Sequence, residues 1–498
     1  MAMYPVEELW RIPLPHSKIA ECEMIERQAF SRIEGKWIDM PICRVLFESS
    51  FGEGSLIRSE LWMPSEWNGM LLGIGNGGFA GVLRASYLHY ARMGYAVVET
   101  DMGTSLYLEG KLTRATPHLF KDSGTRSTHT MTVVAKILIE AFYGRPAERA
   151  YFMGSSAGGK QAIAEMQRFP EDYDGIIAGV PSNNALNLIT YFLWCYVHLT
   201  TREGVPLIGT ALASRLSDEA ARFLAERGGA ATGSDYVEYS HVGEDTVDAF
   251  LAHLAVAMPD LTEAQTDALR AVYHGPVNKK NGKRIYAGMP IGSEIDCGYM
   301  RDSDGPREFD FPWFSLYFGE DFVPHDFDFA DDYEAFLCDV GPDFTFNDPD
   351  LSAFRARGGH MIIFSGISDF WGPWPEAAHY YNGVCRHLGG DEAAAEVVRL
   401  FLLPGKGHNI KGRGVNAWWA DEERTPLLDA IRAWCEEGKA PDFLVGAHLD
   451  DIEKGDRGEQ VRFMRRIPRY RGIAAEGRDY PYACHPDYAM PGREEAHP

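Results

Sequence analysis

Two patterns of apolar residues alternate along this chain. One is a short apolar run that ends at a glycine-rich or polar turn, and the other is a segment whose apolar residues recur at helical spacing. The clearest helical pattern, Met131–Gly144, stops at a glycine, as helices commonly do. Strands and helices alternating in this rhythm predict a parallel sheet covered on both faces by helices. The predicted strands are Met70–Gly75, Tyr95–Glu99, Arg149–Met153, Gly175–Val180, His360–Ser365 and Val397–Leu403, and the further helices are Ala157–Phe169 and Thr425–Glu437.

The alternation breaks between about Asn184 and Asp339, where aromatic clusters, polar loops and helical pieces replace the strand-like runs. A connection of about 150 residues is far longer than ordinary connections, so we predict a domain inserted into the sheet. The tail is polar and rich in Arg and Pro, and we expect it to pack on the core. The predicted division is a first part of the core at 1–187, the inserted domain at 188–340, a second part of the core at 341–450 and the tail at 451–498.

Composition is typical of globular enzymes, with 45% hydrophobic and 24% charged residues in a chain of 498. Lys and Arg number 48 against 72 Asp and Glu, which gives a net charge of −24. A chain this acidic repels nucleic acid and anionic membrane surfaces, so we expect neither as a partner.

The N-terminal segment and the cysteines bear on the compartment of the protein. The chain does not start with basic residues followed by an apolar run, and it has no stretch of about 18 apolar residues, so we predict neither a secretory signal nor a membrane span. Eight cysteines are scattered without CxxC spacing, which argues against zinc ribbons and favours free thiols. Together these features predict a cytoplasmic protein.

One segment, Gly154 to Gly158, has the G-x-S-x-G pattern of a nucleophilic serine at Ser156. The pattern alone is weak, because short motifs of common residues arise by chance. Its context is stronger, since it follows a predicted strand and opens a predicted helix, as a nucleophile elbow does. The alternative is a tightly packed strand-to-helix turn that carries no chemistry.

A nucleophilic serine needs a base and an acid that orients the base, and on this kind of sheet they follow the serine in the order acid, then histidine. Asp369 follows the predicted strand His360–Ser365, and His408 follows the predicted strand Val397–Leu403. Both therefore fall at the edge of the sheet where Ser156 emerges. Taken alone, Asp369 fits a turn or helix cap, and His408 is one of 16 histidines.

Acyl transfer also requires N–H donors for the developing oxyanion. We predict the amide of Ala157 as one donor and that of Gly78 as the other, with Gly77 the nearest alternative to Gly78. Gly73, Gly75 and Gly78 also match the G-x-G-x-x-G of dinucleotide sites. No acidic residue follows in the expected context, so we favour the oxyanion role.

Several segments along the chain match the pattern of a known family. They are Trp67–Gly81, Ala141–Gln161, Arg168–Asn184, Leu261–Asn278, Gly292–Asp296, Gly366–Tyr381, Pro404–Asn409 and Trp434–Leu444. In these segments the chain resembles the tannase and feruloyl esterase family of α/β-hydrolases. The resemblance implies an α/β-hydrolase fold with a mostly parallel, doubly wound sheet and a large inserted lid. It also implies a serine esterase that cleaves esters of aromatic (phenolic) acids, with catalytic residues at Ser156, Asp369 and His408.

The chain departs from the family's pattern in two places. The family usually has a disulfide between cysteines just before the serine and just after the histidine, where this chain has Ser155 and Asn409. We hypothesise that these two side chains form a hydrogen bond instead. Members also often hold a structural calcium in the lid, but Asp235, Asp245 and Asp248 are too dispersed for a carboxylate cage, so we predict no metal.

The resulting prediction is a serine carboxylic-ester hydrolase that acts on a small aromatic ester through an acyl-enzyme, without a cofactor. The alternatives are an acyltransferase or a lactone or C–C bond hydrolase with the same triad, and a catalytically silent binding protein. Phe370, Trp371 and Trp374 either face the substrate ring or pack in the core or lid. The sequence leaves the oligomeric state open.

Overall fold

The computed structural model describes residues 6–26, 28–29, 37–38, 40–79, 81–83, 88–229, 236–238, 244–303, 305–408, 412–418, 426–450 and 461–471. Among these residues, nine strands form one sheet at the centre of the molecule. The strands are β1 (Ser17–Ile25), β2 (Ile42–Ser49), β3 (Ile57–Pro64), β4 (Met70–Ile74), β5 (Ala96–Thr100), β6 (Arg149–Ser155), β7 (Gly175–Gly179), β8 (His360–Gly366) and β9 (Val398–Leu403).

The order of the strands across the sheet is β1-β2-β3-β5-β4-β6-β7-β8-β9. β1, β2, β3 and β5 pair antiparallel, and every pair from β5 to β9 is parallel. Every residue of β5 and β7 is buried, as expected for parallel strands with apolar layers on both faces. The predicted α/β class with a mostly parallel sheet is confirmed, whereas the antiparallel strands β1 to β3 are absent from the sequence prediction.

The helices pack on the sheet, and several of them form the long connection between β7 and β8. The helix predicted over 131–144 begins at Ser127, because its polar first turn is buried, and it ends at Gly144, whose φ of 71° only glycine adopts readily. The longer helices are α1 (Ser127–Tyr143), α2 (Ala157–Arg168), α3 (Ala185–Leu199), α4 (Thr210–Ala225), α5 (Glu244–Ala257), α6 (Glu263–His274), α7 (Trp313–Phe318), α8 (Asp331–Phe344), α9 (Trp374–Leu388) and α10 (Pro426–Glu437). Shorter helical segments are Val6–Leu9, Leu88–Arg92, Ser105–Leu108, Leu119–Lys121, Ser352–Ala356 and Asp391–Ala395, and a π-helical turn, Asp122–Arg126, leads into α1.

β7 and β8 are neighbours in the sheet, yet the chain between them runs through the helices α3 to α8. The division of this stretch at 188 and 340 stays a prediction. Beyond α10, a second small sheet contains β10 (Ala417–Trp418), β11 (Phe443–Leu449) and β12 (Val461–Pro468). Residues 451–460 and 472–498 of the predicted tail lie outside the described residues, so its packing on the core also stays a prediction.

No helix in the described ranges is long and apolar enough to cross a lipid bilayer. The seven cysteines in those ranges are free thiols, and Cys484 lies outside them.

Candidate active site

Ser156 occupies a sharp turn between the end of β6 and the start of α2. Its backbone has φ 61° and ψ −119°, a conformation that costs free energy for any residue with a side chain. The Ser156 N–H donates to the carbonyl of Gly179 at 2.9 Å, which ties the turn to β7. The predicted strand–turn–helix context of the serine is therefore present, with the backbone strain that a nucleophile elbow requires.

The two glycines of the G-x-S-x-G pattern are needed for close backbone packing around this turn. A Cβ on Gly154 would lie 2.6 Å from the carbonyl oxygen of Gly158. A Cβ on Gly158 would lie 2.9 Å from the carbonyl oxygen of Asn76, to which the Gly158 N–H itself donates at 2.7 Å. Small residues here let β4, β6 and α2 approach one another beneath the serine.

Replacement of Gly158 by alanine is expected to destabilise the fold by about 1–3 kcal/mol, because the methyl group must displace backbone atoms. The same displacement should lower kcat/KM by up to about 100-fold by moving Ser156 from its position. Thermal unfolding and ester hydrolysis measure the two effects. Gly305→Ala is the matched control, since a Cβ there meets no atom within 4 Å. Equal behaviour of the two variants would contradict the packing argument.

The loop after β4 places Gly78 beside the serine turn. Asn76 fixes this loop, because its N–H donates to Gln161 Oε1 at 2.8 Å and its side-chain amide donates to the Thr100 carbonyl at 2.7 Å. Gly78 has a φ of 62° and open space where a Cβ would stand. Gly78 and Ala157 both line the cavity that contains Ser156. Their role as oxyanion donors stays a prediction that this placement supports.

Asp369 and His408 lie together at the carboxyl ends of β8 and β9. His408 Nδ1 is 3.0 Å from Asp369 Oδ2 and 3.1 Å from Oδ1. The Asp369 side chain is fully buried, and the Gly372 N–H donates to its Oδ1 at 2.8 Å. A buried, hydrogen-bonded carboxylate behind the imidazole is the arrangement that orients a catalytic base.

Asp296, from the long connection, joins the loops that carry the acid and the base. Its Oδ2 accepts the N–H of Phe370 at 3.0 Å and the N–H of His408 at 3.1 Å. In the sequence, Asp296 is only the last residue of the matching segment Gly292–Asp296, and no motif predicts a role for it. The signal that could have found it is weak, because these contacts span 74 and 112 residues along the chain.

Charge around the imidazole favours its protonated form. Burial alone would lower the pKa of His408, but the negative charges of Asp369 and Asp296 outweigh burial and raise this pKa above its ordinary value. Burial, together with the charge of Asp369, raises the pKa of Asp296 to about 6. The imidazole is therefore a stronger base than a free histidine, and it is neutral only above its raised pKa.

We expect Asp296→Asn to move the acidic limb of the pH profile of kcat/KM to lower pH by roughly one unit. Asparagine keeps an acceptor oxygen for both N–H groups but removes a negative charge, so the pKa of His408 should fall and the base should stay neutral to lower pH. Rates of ester hydrolysis between about pH 5 and about pH 9, a range that covers the titration of a histidine, measure the position of this limb. Asp260→Asn on the surface is the control, and an unmoved limb in D296N would contradict the electrostatic role.

Ser156 and His408 line one cavity of about 780 Å³. The hydrogen bonds of the His408 ring within the described residues go to Asp369, and none of them joins it to Ser156 Oγ. Catalytic bonds of this kind often tighten only in the complex with substrate. Of the three aromatic residues near Asp369, Trp371 lines the cavity, while Phe370 and Trp374 are fully buried in the core.

The expectation of no metal and no cofactor stays a prediction. Among the described residues, His129, Glu165 and Asp172 have possible ligand atoms within 4.8 Å of one another, and none of the three lines the cavity. Of the lid aspartates considered above, Asp235 lies outside the described residues, and Asp245 and Asp248 lie on α5.

Comparison with known proteins decides the family. The model of the family described as "Tannase and feruloyl esterase" matches residues 43–302 and 329–481. The chain belongs to the tannase and feruloyl esterase family. This tannase-family chain is 27% identical to a probable feruloyl esterase B of Aspergillus clavatus over 446 residues, which are 87% of this chain and 83% of the relative. It is also 27% identical to feruloyl esterase C of Talaromyces stipitatus over 441 residues, 86% of this chain and 82% of the relative.

Solved structures show the same fold. The tannase-family chain is similar to feruloyl esterase B from Aspergillus oryzae, with a TM-score of 0.73 and 22% identity over 93% of this chain and 95% of that one. It is similar to a tannin acyl hydrolase from Aspergillus niger, with a TM-score of 0.72 and 18% identity over 93% and 91% of the two chains. The predicted α/β-hydrolase fold and family are thus confirmed, and the protein is a carboxylic ester hydrolase of the feruloyl esterase and tannase type that acts on small-molecule esters.

The comparisons contradict the predicted cytoplasmic location. The matched relatives are fungal feruloyl esterases, which are secreted, extracellular enzymes. The prediction was wrong because it rested on the lack of a signal-like run and on scattered cysteines, and neither feature fixes the compartment of a protein.

The hypothesised hydrogen bond between Ser155 and Asn409 cannot be placed, since Asn409 lies outside the described residues. Ser155 is the last residue of β6 and lines the cavity.

Proposed function

We propose that the enzyme hydrolyses esters of aromatic (phenolic) acids through a triad of Ser156, His408 and Asp369 and an acyl-enzyme. The observation that carries the proposal is the buried Asp369 carboxylate hydrogen-bonded to His408, which shares a cavity with a serine on a strained turn. These three side chains come from three distant parts of the chain and end at one edge of the sheet.

The proposed cycle begins with proton transfer. When Asp369 accepts a hydrogen bond from His408 Nδ1–H, Nε2 is left as the base for the Ser156 hydroxyl proton. Ser156 Oγ attacks the ester carbonyl carbon, and the N–H groups of Gly78 and Ala157 stabilise the oxyanion. The loss of one such donor costs about 3 kcal/mol in the barrier. The intermediate collapses to the acyl-enzyme as the C–O bond breaks and the imidazolium protonates the departing alcohol.

Water completes the cycle by the same route. His408 takes a proton from a water molecule, the resulting hydroxide attacks the acyl carbon, and the bond to Ser156 Oγ breaks as the serine regains its proton. The products are the free acid and the regenerated enzyme. No step requires a metal or a cofactor.

The walls of the cavity support an aromatic substrate. Phe79, Trp313, Phe344 and Trp371 all line it, and Phe79 packs against Trp313 with ring centroids 4.6 Å apart. Planar aromatic rings favour such surroundings, which bury apolar area and offer ring faces and edges for contact. The names of the relatives, feruloyl esterase and tannin acyl hydrolase, agree with this substrate class.

The predicted insertion at 188–340 is proposed to be the lid over the serine. Phe192, Phe311 and Trp313 belong to this stretch and line the cavity, facing the catalytic residues contributed by the core. A wall built from the insertion would exclude water from the reacting ester and shape the site for the acyl group.

Product analysis tests hydrolysis against the alternative of acyl transfer. The wild-type enzyme is incubated with the methyl ester of a phenolic aromatic acid in buffer with and without an added alcohol, and the products are separated by chromatography. We expect the free acid to dominate in both cases. Predominant transfer to the alcohol would indicate an acyltransferase, and the absence of any product across a panel of aromatic esters would favour a binding protein.

A further inference from the structure

Lys160 is a buried lysine at the catalytic cavity that the proposed cycle does not use. Only 2% of its surface is exposed, and it lines the same cavity as Ser156. It lies one helical turn after the serine on α2, and its N–H donates to the Ser156 carbonyl at 3.1 Å. Residues four apart on a helix share a face, so the lysine side chain is directed toward the serine end of the helix.

The ammonium group of Lys160 contacts one backbone carbonyl and one aromatic ring. Lys160 Nζ donates to the Ser123 carbonyl at a long 3.4 Å and lies 3.8 Å from the centroid of the Phe344 ring. Among the described residues, no ion pair joins it to a carboxylate, and burial is the cause that lowers its pKa to about 7. An ammonium has three N–H donors and is costly to bury without an anionic or hydrogen-bonding partner.

We infer that Lys160 is a specificity-determining residue that selects aromatic esters carrying a carboxylate on the ring. Phe79, Trp313 and Phe344 hold the ring, and the ammonium of Lys160 forms an ion pair with its anionic substituent while Ser156 attacks the ester group. A single carboxylate fits better than a phosphate, because Lys160 is the one lysine or arginine among the described residues that line the cavity. The inference rests on the proposed function and narrows its substrate class.

A matched pair of esters tests the inference at the level of turnover. The pair is the methyl ester of a benzoic acid with a carboxylate on the ring and the same ester with a neutral carboxamide in its place. We expect wild-type kcat/KM to favour the carboxylate ester and Lys160→Met to lower the carboxylate-to-carboxamide ratio about tenfold or more, mainly through KM. Lys160→Arg keeps the charge and should keep the preference. An equal loss for both esters in K160M indicates packing alone and overturns the inference.

Binding measurements separate this inference from the proposed hydrolysis. Isothermal titration calorimetry compares the wild-type affinity for a benzoate that carries a ring carboxamide with that for the matching benzenedicarboxamide, which has no carboxylate. The comparison requires neither turnover nor a folded variant. At least about tenfold tighter binding of the carboxylate compound supports the inference. Equal binding overturns it whether or not either ester is cleaved. Absence of turnover together with selective binding of the carboxylate compound would instead count against the proposed function.

Discussion

Replacement of Ser156 by alanine is expected to lower kcat for aryl ester hydrolysis by about 10⁴–10⁶-fold, the range typical of a lost nucleophile. The hydroxyl is the group that forms the acyl-enzyme, and no neighbouring side chain in the proposed cycle replaces it. Initial rates at saturating substrate measure the loss, with the uncatalysed rate subtracted. The thermal midpoint should stay close to that of the wild type, because alanine removes one oxygen from a cavity wall.

Ser303→Ala is the matched control for this variant, since Ser303 is exposed and does not line the cavity. A rate for S156A near that of S303A would exclude Ser156 as the nucleophile. It would also remove the reason for the strained backbone at this turn.

We expect Asp369→Asn to lower kcat by about 10⁴-fold with a smaller effect on KM. An asparagine amide facing His408 Nδ1 favours the tautomer with its proton on Nε2, which then cannot accept the proton of Ser156. The loss therefore arises in the chemical step rather than in binding. Stopped assays over a range of substrate concentrations separate kcat from KM.

Asp260→Asn removes a carboxylate from the surface pair with Arg215 and is the control for charge alone. If D369N kept kcat within about tenfold of the wild type, a role of Asp369 in setting the tautomer would be untenable. Partial recovery of the rate at high pH would not contradict it, since hydroxide then competes as a base.

The sequence could predict the strand ends that carry the site because apolar runs mark buried parallel strands. Asp369 and His408 each follow such a run, and Ser156 lies between a strand and a helix, so their meeting at one edge of the sheet followed from topology. The structural role of the glycines at 154 and 158 could be predicted for the same reason, because a tight strand-to-helix turn leaves no room for a Cβ. These features depend on local pattern.

Features that depend on contacts between distant parts of the chain could not be predicted from the sequence. β1 is partly exposed along its length and lacks a continuous apolar run, so it gave no strand signal. Asp296 acquires its role only when the long connection folds back against two loops. The sequence did not indicate a role for Lys160, because a lysine on a helix is usually exposed. Its burial becomes visible only in the folded structure, where it packs against Phe344.

Identification of the residue that acts as the nucleophile tests the central claim most directly. The enzyme is treated with a fluorophosphonate probe, digested and analysed by mass spectrometry, with S156A and His408→Ala treated in parallel. Our account predicts one adduct on the peptide that contains Ser156, no adduct in S156A and much slower labelling in H408A. An adduct on another residue, or undiminished labelling of S156A, would contradict it.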